Sequence, residues 1–253
     1  ERSIASPVDA LLLPAALSME RPPRPRFCVL ECGHATEYTR KAHGDYGELF
    51  VKALSCDGEL WETYDVCGGV FPPEDAEFDG WVLTGSRFDA HGSDPWLERL
   101  RELLRKLHVQ RQRMLGICFG HQVLAHALGG RSGRAEVGWE VGLREVSASS
   151  ELQGKWYARG DVPLPSAFCI HESHRDQVLA LPEGATLLAS SAKTPVEAYC
   201  IGDHVFCLQG HPEYTDDIVR DMLESRLAAG IIPEAEGREG YASLEALRAD
   251  RAA

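Results

Sequence analysis

The stretch Arg113-Met-Leu-Gly-Ile-Cys118-Phe-Gly-His-Gln-Val123 decides how the rest of the chain is read. A short apolar run ends in Gly116-Ile-Cys118-Phe-Gly120 and turns into a helical pattern through Val123, Leu124, Ala125, Ala127 and Leu128. This is the thiol form of a strand-turn-helix elbow, in which flanking glycines let the backbone fold tightly around a nucleophile. Gly116 and Gly120 remove the β-carbons that would collide as the turn closes. Cys118 then heads a helix, where free N–H groups and the helix dipole favour a thiolate. A cysteine buried in an ordinary α/β core reads the same way locally, so partners must be found elsewhere.

Outward from the elbow, strands and helices alternate. Before it, Leu97, Leu100, Leu103, Leu104 and Leu107 recur at helical spacing after Asp94-Pro95, an N-cap followed by proline at the first helical position. Glu98, Arg99, Arg101, Glu102, Arg105 and Lys106 are assigned to the other face. Further upstream, Phe27-Cys-Val-Leu-Glu31 is a strand, Thr36 to Ser55 holds a helix after a turn at Gly44 and Gly47, and Leu60 to Val66 is a second strand. Phe78 to Ser86 is a strand running into the turn Thr84-Gly85-Ser86. The alternation predicts a mainly parallel sheet covered by helices on both faces. Ligands of such sheets lie beyond the carboxyl ends of the strands, where Gly85 and Cys118 both fall.

After Trp139 the pattern turns to strands, at Trp139–Val146, Phe168–His171, Thr186–Ala189, Val196–Ile201 and Val205–Leu208. Residues 147–166 read as loop. The last strand ends in Gln209-Gly-His211-Pro-Glu213, and helices at Thr215–Ala229 and Ser243–Arg251 close the chain. The proline-rich segment 20–26 has no core-forming pattern, so residues 1–26 are expected to be a disordered extension. Residues 27–253 are expected to form one domain. Residues 1–18 precede the first methionine, Met19, and read as an extension, a transit remnant or translated upstream sequence.

The 253 residues carry 26 Lys and Arg against 39 Asp and Glu, a formal net charge of −13. That balance argues against a nucleic-acid surface and against anionic membranes. No run of about 18 apolar residues marks a membrane span. The eight cysteines contain no C-x-x-C pair, so a reduced, cytoplasmic setting is expected rather than a disulfide framework or a zinc site.

A thiol nucleophile needs a base and an acid, most often histidine. His211 follows an apolar strand directly, and Glu213 stands two residues on, where it can fix the imidazole tautomer. The joint occurrence of Gly-Ile-Cys118-Phe-Gly-His-Gln122, Ser173-His174-Arg-Asp176-Gln-Val178 and Gln-Gly-His211-Pro-Glu213, in that order, resembles the class I glutamine amidotransferases. The resemblance covers roughly residues 27–230. It implies a flavodoxin-like three-layer α/β sandwich and a catalytic triad of Cys118, His211 and Glu213. It also implies an oxyanion hole from backbone N–H groups of Gly85 and Phe119, and a substrate pocket in which Gln122, Ser173 and His174 hold the glutamyl α-amino and α-carboxylate groups. No metal and no cofactor are implied.

Thr84-Gly85-Ser86-Arg-Phe-Asp89 stands where many such domains carry Gly-Gly-Pro. With Tyr46-Gly-Glu-Leu-Phe50 and Gln-Gly-His-Pro-Glu-Tyr214, this departure is similar to the plant cytosolic γ-glutamyl peptidases. That likeness implies a γ-glutamyl thioester on Cys118, formed from glutathione or its conjugates. A glutaminase subunit serving a partner synthase is the alternative. A non-catalytic binding protein would be expected to have lost one of the three triad residues, and a thiol peptidase for ordinary peptide bonds fits the His-Pro-Glu placement less well.

Overall fold

The computed structural model describes residues 24–155 and 165–252. The expected disordered extension falls largely on residues 1–23, outside the described residues; Arg26, assigned to it, already belongs to the first strand. That strand, β1 (Arg26–Glu31), is followed by α1 (Glu37–Ala42), α2 (Tyr46–Leu54), β2 (Leu60–Asp65) and β3 (Gly80–Leu83). Then come α3 (Pro95–Val109), β4 (Met114–Ile117), α4 (Phe119–Ala127), β5 (Arg131–Arg134) and β6 (Glu140–Ala148). The remainder is α5 (Ser150–Gln153), β7 (Ala167–His174), β8 (Asp176–Ala180), β9 (Ala185–Ser190), β10 (Ala198–Ile201), β11 (Val205–Leu208), α6 (Asp216–Ala228) and α7 (Glu234–Ala252).

Among the described residues a nine-stranded sheet runs β2-β1-β3-β4-β11-β10-β9-β6-β7. The first five strands are mutually parallel, in the flavodoxin-like order. From β10 onward the pairing is antiparallel. The short apolar runs of β3, β4 and β11 fit a parallel sheet buried on both faces. Successive residues feed opposite cores: Cys28, Leu30, Trp81 and Leu83 pack with Leu97, Leu100, Leu104 and Val123 of α3 and α4. Val29, Val82 and Ile117 pack with Phe50 of α2 on the other side. A third cluster joins α6 and α7 to Val141 of β6.

Several sequence expectations need correction. The helix expected after the Gly44 turn is α2, capped by Asp45 through a capping box with Glu48, but a second helix, α1, precedes that turn, where Gly44 has φ +99°. Gly47, expected in the turn, lies inside α2, where Thr63 leaves no room for a β-carbon. Arg101, assigned to the outer face of α3, is buried, and its guanidinium donates to the carbonyls of Ala90 and Gly92 at 2.7 and 2.8 Å. It thereby pins the loop that follows the Gly85 turn. The short polar pair β5–β8 and the helix α5 were not expected, and α7 starts nine residues earlier than the apolar pattern indicated. No described helix is long and apolar enough to cross a membrane.

Candidate active site

Cys118 sits between β4 and α4 with φ 51° and ψ −102°, a positive-φ conformation that costs a non-glycine residue on the order of 1–3 kcal/mol. The surroundings hold it there. Its N–H donates to the Leu208 carbonyl of β11 at 2.9 Å, and its own carbonyl accepts from Gln122 N–H at 3.0 Å, the first bond of α4. The glycines permit the close approach. A β-carbon on Gly116 would lie 2.7 Å from the Gly120 carbonyl, and one on Gly120 would lie 2.6 Å from the Leu83 carbonyl. The helix start is thus wedged against β3 and β4 with the sulfur at the carboxyl edge of the sheet.

β11 lies directly beside β4 and delivers His211 to the same edge. The His211 N–H donates to the His171 carbonyl of β7 at 2.8 Å, which anchors the turn after β11. Nδ1 of His211 is 2.7 Å from Oε1 of Glu213, with both side chains almost fully buried. The Tyr214 ring stacks on the imidazole, centroids 3.9 Å apart and 5° from parallel, and its hydroxyl reaches that of Tyr46 at 3.4 Å. With Nδ1 engaged, Nε2 is left for the Cys118 sulfur. Burial alone would lower the His211 pKa; the charges and hydrogen bonds of Glu213 and Cys118 more than offset it and push it up to about 10. Those partners favour the protonated form of the ring.

The third strand end belongs to β3. Gly85 lies against the imidazole so closely that a β-carbon there would be 2.8 Å from Cε1 of His211. Thr84 Oγ1 accepts from Cys32 N–H and donates to the Gly85 carbonyl, both at 2.9 Å, which fixes the Gly85 peptide. Phe119 is the first residue of α4, so its N–H has no acceptor within the helix. Cys118, His211, Glu213 and the backbone of Gly85 and Phe119 thus belong to one buried corner. A family model for class I glutamine amidotransferases matches residues 73–225, across all of these strand ends.

The chain belongs to the class I glutamine amidotransferase family.

It is 37% identical over 228 residues to Gamma-glutamyl peptidase 3 of Arabidopsis thaliana, covering 89% of this chain and 92% of that protein. To Gamma-glutamyl peptidase 4 of the same plant it is 38% identical over 218 residues, with 85% and 86% covered. A solved glutamine amidotransferase from Thermotoga maritima shares the fold, with a TM-score of 0.65 at 22% identity, covering 89% of this chain and 95% of that one.

The remaining motif residues of this amidotransferase domain lie just beneath the corner. Gln122 is buried, and its Nε2 donates to the Asp176 carbonyl at 2.7 Å and to Oε1 of Gln209 at 3.0 Å, so the oxygen Oε1 is what it can offer a ligand. Oγ of Ser173 accepts from Arg226 of α6 at 2.7 Å. His174 is buried, with Nε2 3.2 Å from Glu172 and 3.7 Å from Glu140, so its side chain serves an internal network.

That network was not read from the sequence. Glu172 and Glu197 are fully buried, and Glu140 is 2% exposed. Burial first, then the neighbouring carboxylate charges, push Glu197 up to about 9; burial likewise raises Glu172 to about 8 despite nearby His211. Glu172 also fills the space beside Gly210, directly ahead of His211. Burial of both carboxyls favours their protonated forms.

Two outcomes follow. Glu197 holds in the folded state a proton that the unfolded chain releases above about 4.5, so it lowers stability progressively as pH rises from there toward 9. Glu197→Gln is expected to raise the melting temperature at pH 8.5 and to change it little at pH 5, with a gain of at most about 1.4 kcal/mol per pH unit. Equal shifts at both pH values would refute the buried protonated acid. Glu213→Gln removes a charge that raises the His211 pKa. The alkaline limb of kcat/KM is expected to move to lower pH by about 1–3 pH units.

Proposed function

We propose that this chain is a cysteine-dependent hydrolase that removes the γ-glutamyl group from glutathione or glutathione conjugates. The observation that carries the reading is Cys118 at φ 51° on the helix terminus beside a buried His211–Glu213 pair 2.7 Å apart. Long, well-covered matches to proteins named as γ-glutamyl peptidases support the substrate class.

In this reading the Cys118 thiolate attacks the γ-carbonyl carbon, and the oxyanion is held by the N–H groups of Gly85 and Phe119. One such fixed donor is worth about 3 kcal/mol of barrier. His211 passes its proton to the departing amine of cysteinyl-glycine as the C–N bond breaks, leaving a γ-glutamyl thioester on Cys118. Water then attacks the thioester while neutral His211 takes its proton, releasing glutamate and restoring the thiolate–imidazolium pair. Gln122 Oε1 and the backbone of Ser173 and His174 hold the α-amino and α-carboxylate ends. The eight free cysteines fit a reducing compartment such as the cytoplasm, and no further cofactor is required by these steps.

Glutamine shares the acyl half of the substrate and differs only in the leaving group, ammonia. The family match favours a second reading on that ground: a glutaminase subunit that delivers ammonia to a partner synthase. Purified protein given glutathione, an S-conjugate or glutamine separates the two. Release of cysteinyl-glycine or its conjugate with glutamate is expected. Turnover of glutamine alone, raised by an added synthase, would overturn the peptidase reading in favour of the second.

A further inference from the structure

At the same sheet edge, on the far side of the Gly85 turn, β1 and β2 end side by side with Glu31 paired to Asp65. The residues just beyond them converge. Nε2 of His34 is 3.6 Å from Sγ of Cys67 and 3.7 Å from Oδ2 of Asp65, while Cys67 Sγ is 3.2 Å from Asp65 Oδ1. A tetrahedral ion with a metal–sulfur bond of about 2.3 Å and metal–nitrogen or metal–oxygen bonds of about 2.0–2.1 Å sets its ligand atoms ~3.3–3.6 Å apart. The separations, taken to both oxygens of Asp65, lie close to that range; Oδ1 also accepts from the Gly68 N–H at 2.8 Å, which leaves Oδ2 for an ion. His34 and Asp65 are too far apart for a hydrogen bond, yet neither is turned away from the other. We propose that Cys67, His34 and Asp65 form a three-ligand site for a zinc-class divalent ion, with a fourth position open to water or a thiol.

The chemistry of the donors selects the ion. A thiol, an imidazole and one carboxylate suit zinc or cobalt, whereas magnesium and calcium favour oxygen alone. The setting is anionic and reachable: His34 and Asp65 have side chains 46% and 37% exposed, and Asp45 stands 3.8 Å from the other nitrogen of His34. Glu31 and Asp45 themselves are taken up by the N–H groups of Gly47 and of Ala35 and Tyr46. They add charge rather than bonds. A second cluster, Asp89, His91 and Asp176, is a poorer candidate because Arg134 already pairs with both of its carboxylates, at 3.1 and 2.6 Å.

Without a cation, Cys67 donates its proton to Asp65, and burial together with that bond and charge pushes the thiol up to about 12. An occupied site would tie the ends of β1 and β2 together next to Gly33, where a β-carbon would lie 2.8 Å from Oγ of Ser86 in the turn that carries Gly85. Binding itself is independent of the hydrolase reading.

The test uses the full chain carrying Cys118→Ala, which removes the competing thiol of the active site. Cobalt is added and its thiolate charge-transfer and tetrahedral visible bands are recorded; zinc is then titrated against a chromophoric chelator. The expected result is one equivalent of either ion, with bands that vanish on adding Cys67→Ser. Affinity is expected to fall about 100-fold on adding His34→Ala, an exposed position where the fold is not at risk, and to hold with His91→Ala. No thiolate band, or binding unchanged by both Cys67→Ser and His34→Ala, would overturn the site.

Discussion

Cys118→Ala is expected to reduce turnover of a γ-glutamyl peptide by about 10⁴–10⁶-fold, with KM changed far less, measured as glutamate release under saturating substrate. In the proposed reading the sulfur supplies the covalent step, so its loss removes the atom that carries the acyl group. His211→Ala is expected to cost a similar factor, and the double variant little more than either alone, because nucleophile and imidazolium act as one unit. The strained backbone adds a second signature. Alanine has no chemistry to repay the φ of 51°, so the variant loses activity without gaining contacts. Full turnover by Cys118→Ala would remove the nucleophile assignment outright.

Gly85→Ala carries the next largest effect. The new methyl carbon would lie 2.8 Å from Cε1 of His211, inside contact distance, so either the turn or the ring must give way. The ring is clamped by Glu213 on one side and by Tyr214 on its face. Displacement of the imidazole or of the Gly85 N–H by a fraction of an ångström is expected to lower kcat by about 100-fold, with the melting temperature nearly kept. A kcat within about twofold of the parent would mean that His211 and the Gly85 turn do not share a working corner.

The turn at Cys118 and the meeting of His211 with Glu213 were legible because each is written locally: glycines around a cysteine, and His-Pro-Glu after an apolar strand. The parallel core was legible for the same reason, since its buried strands are short apolar runs between amphipathic helices. What escaped depends on tertiary packing. Arg101 reads as surface because a charged residue on an amphipathic helix is assigned outward, and only the loop at Ala90 and Gly92 draws it in. Glu172 and Glu197 read as polar strand residues, with no sign in His-Glu-Ser-His or Val-Glu-Ala-Tyr that each is sealed from water. β5 is polar apart from Gly133 and β8 runs from Asp-Gln into Val-Leu-Ala without alternation, so neither announces itself until they pair. The cluster at His34, Asp65 and Cys67 draws on two separate loops, and no C-x-x-C spacing flags it.

The pairing of β4 with β11 has a consequence for the life of the chain. Val205 to Leu208 align with Met114 to Ile117, and β11 lies between β4 and β10. Cys118 is synthesised well before His211 and Glu213, which reach it only by closing a loop through the antiparallel half of the sheet. Such distant pairings form late in folding. In the proposed reading a chain not yet folded past β11 carries Cys118 without its partners, and the docking of one four-residue strand brings them to it.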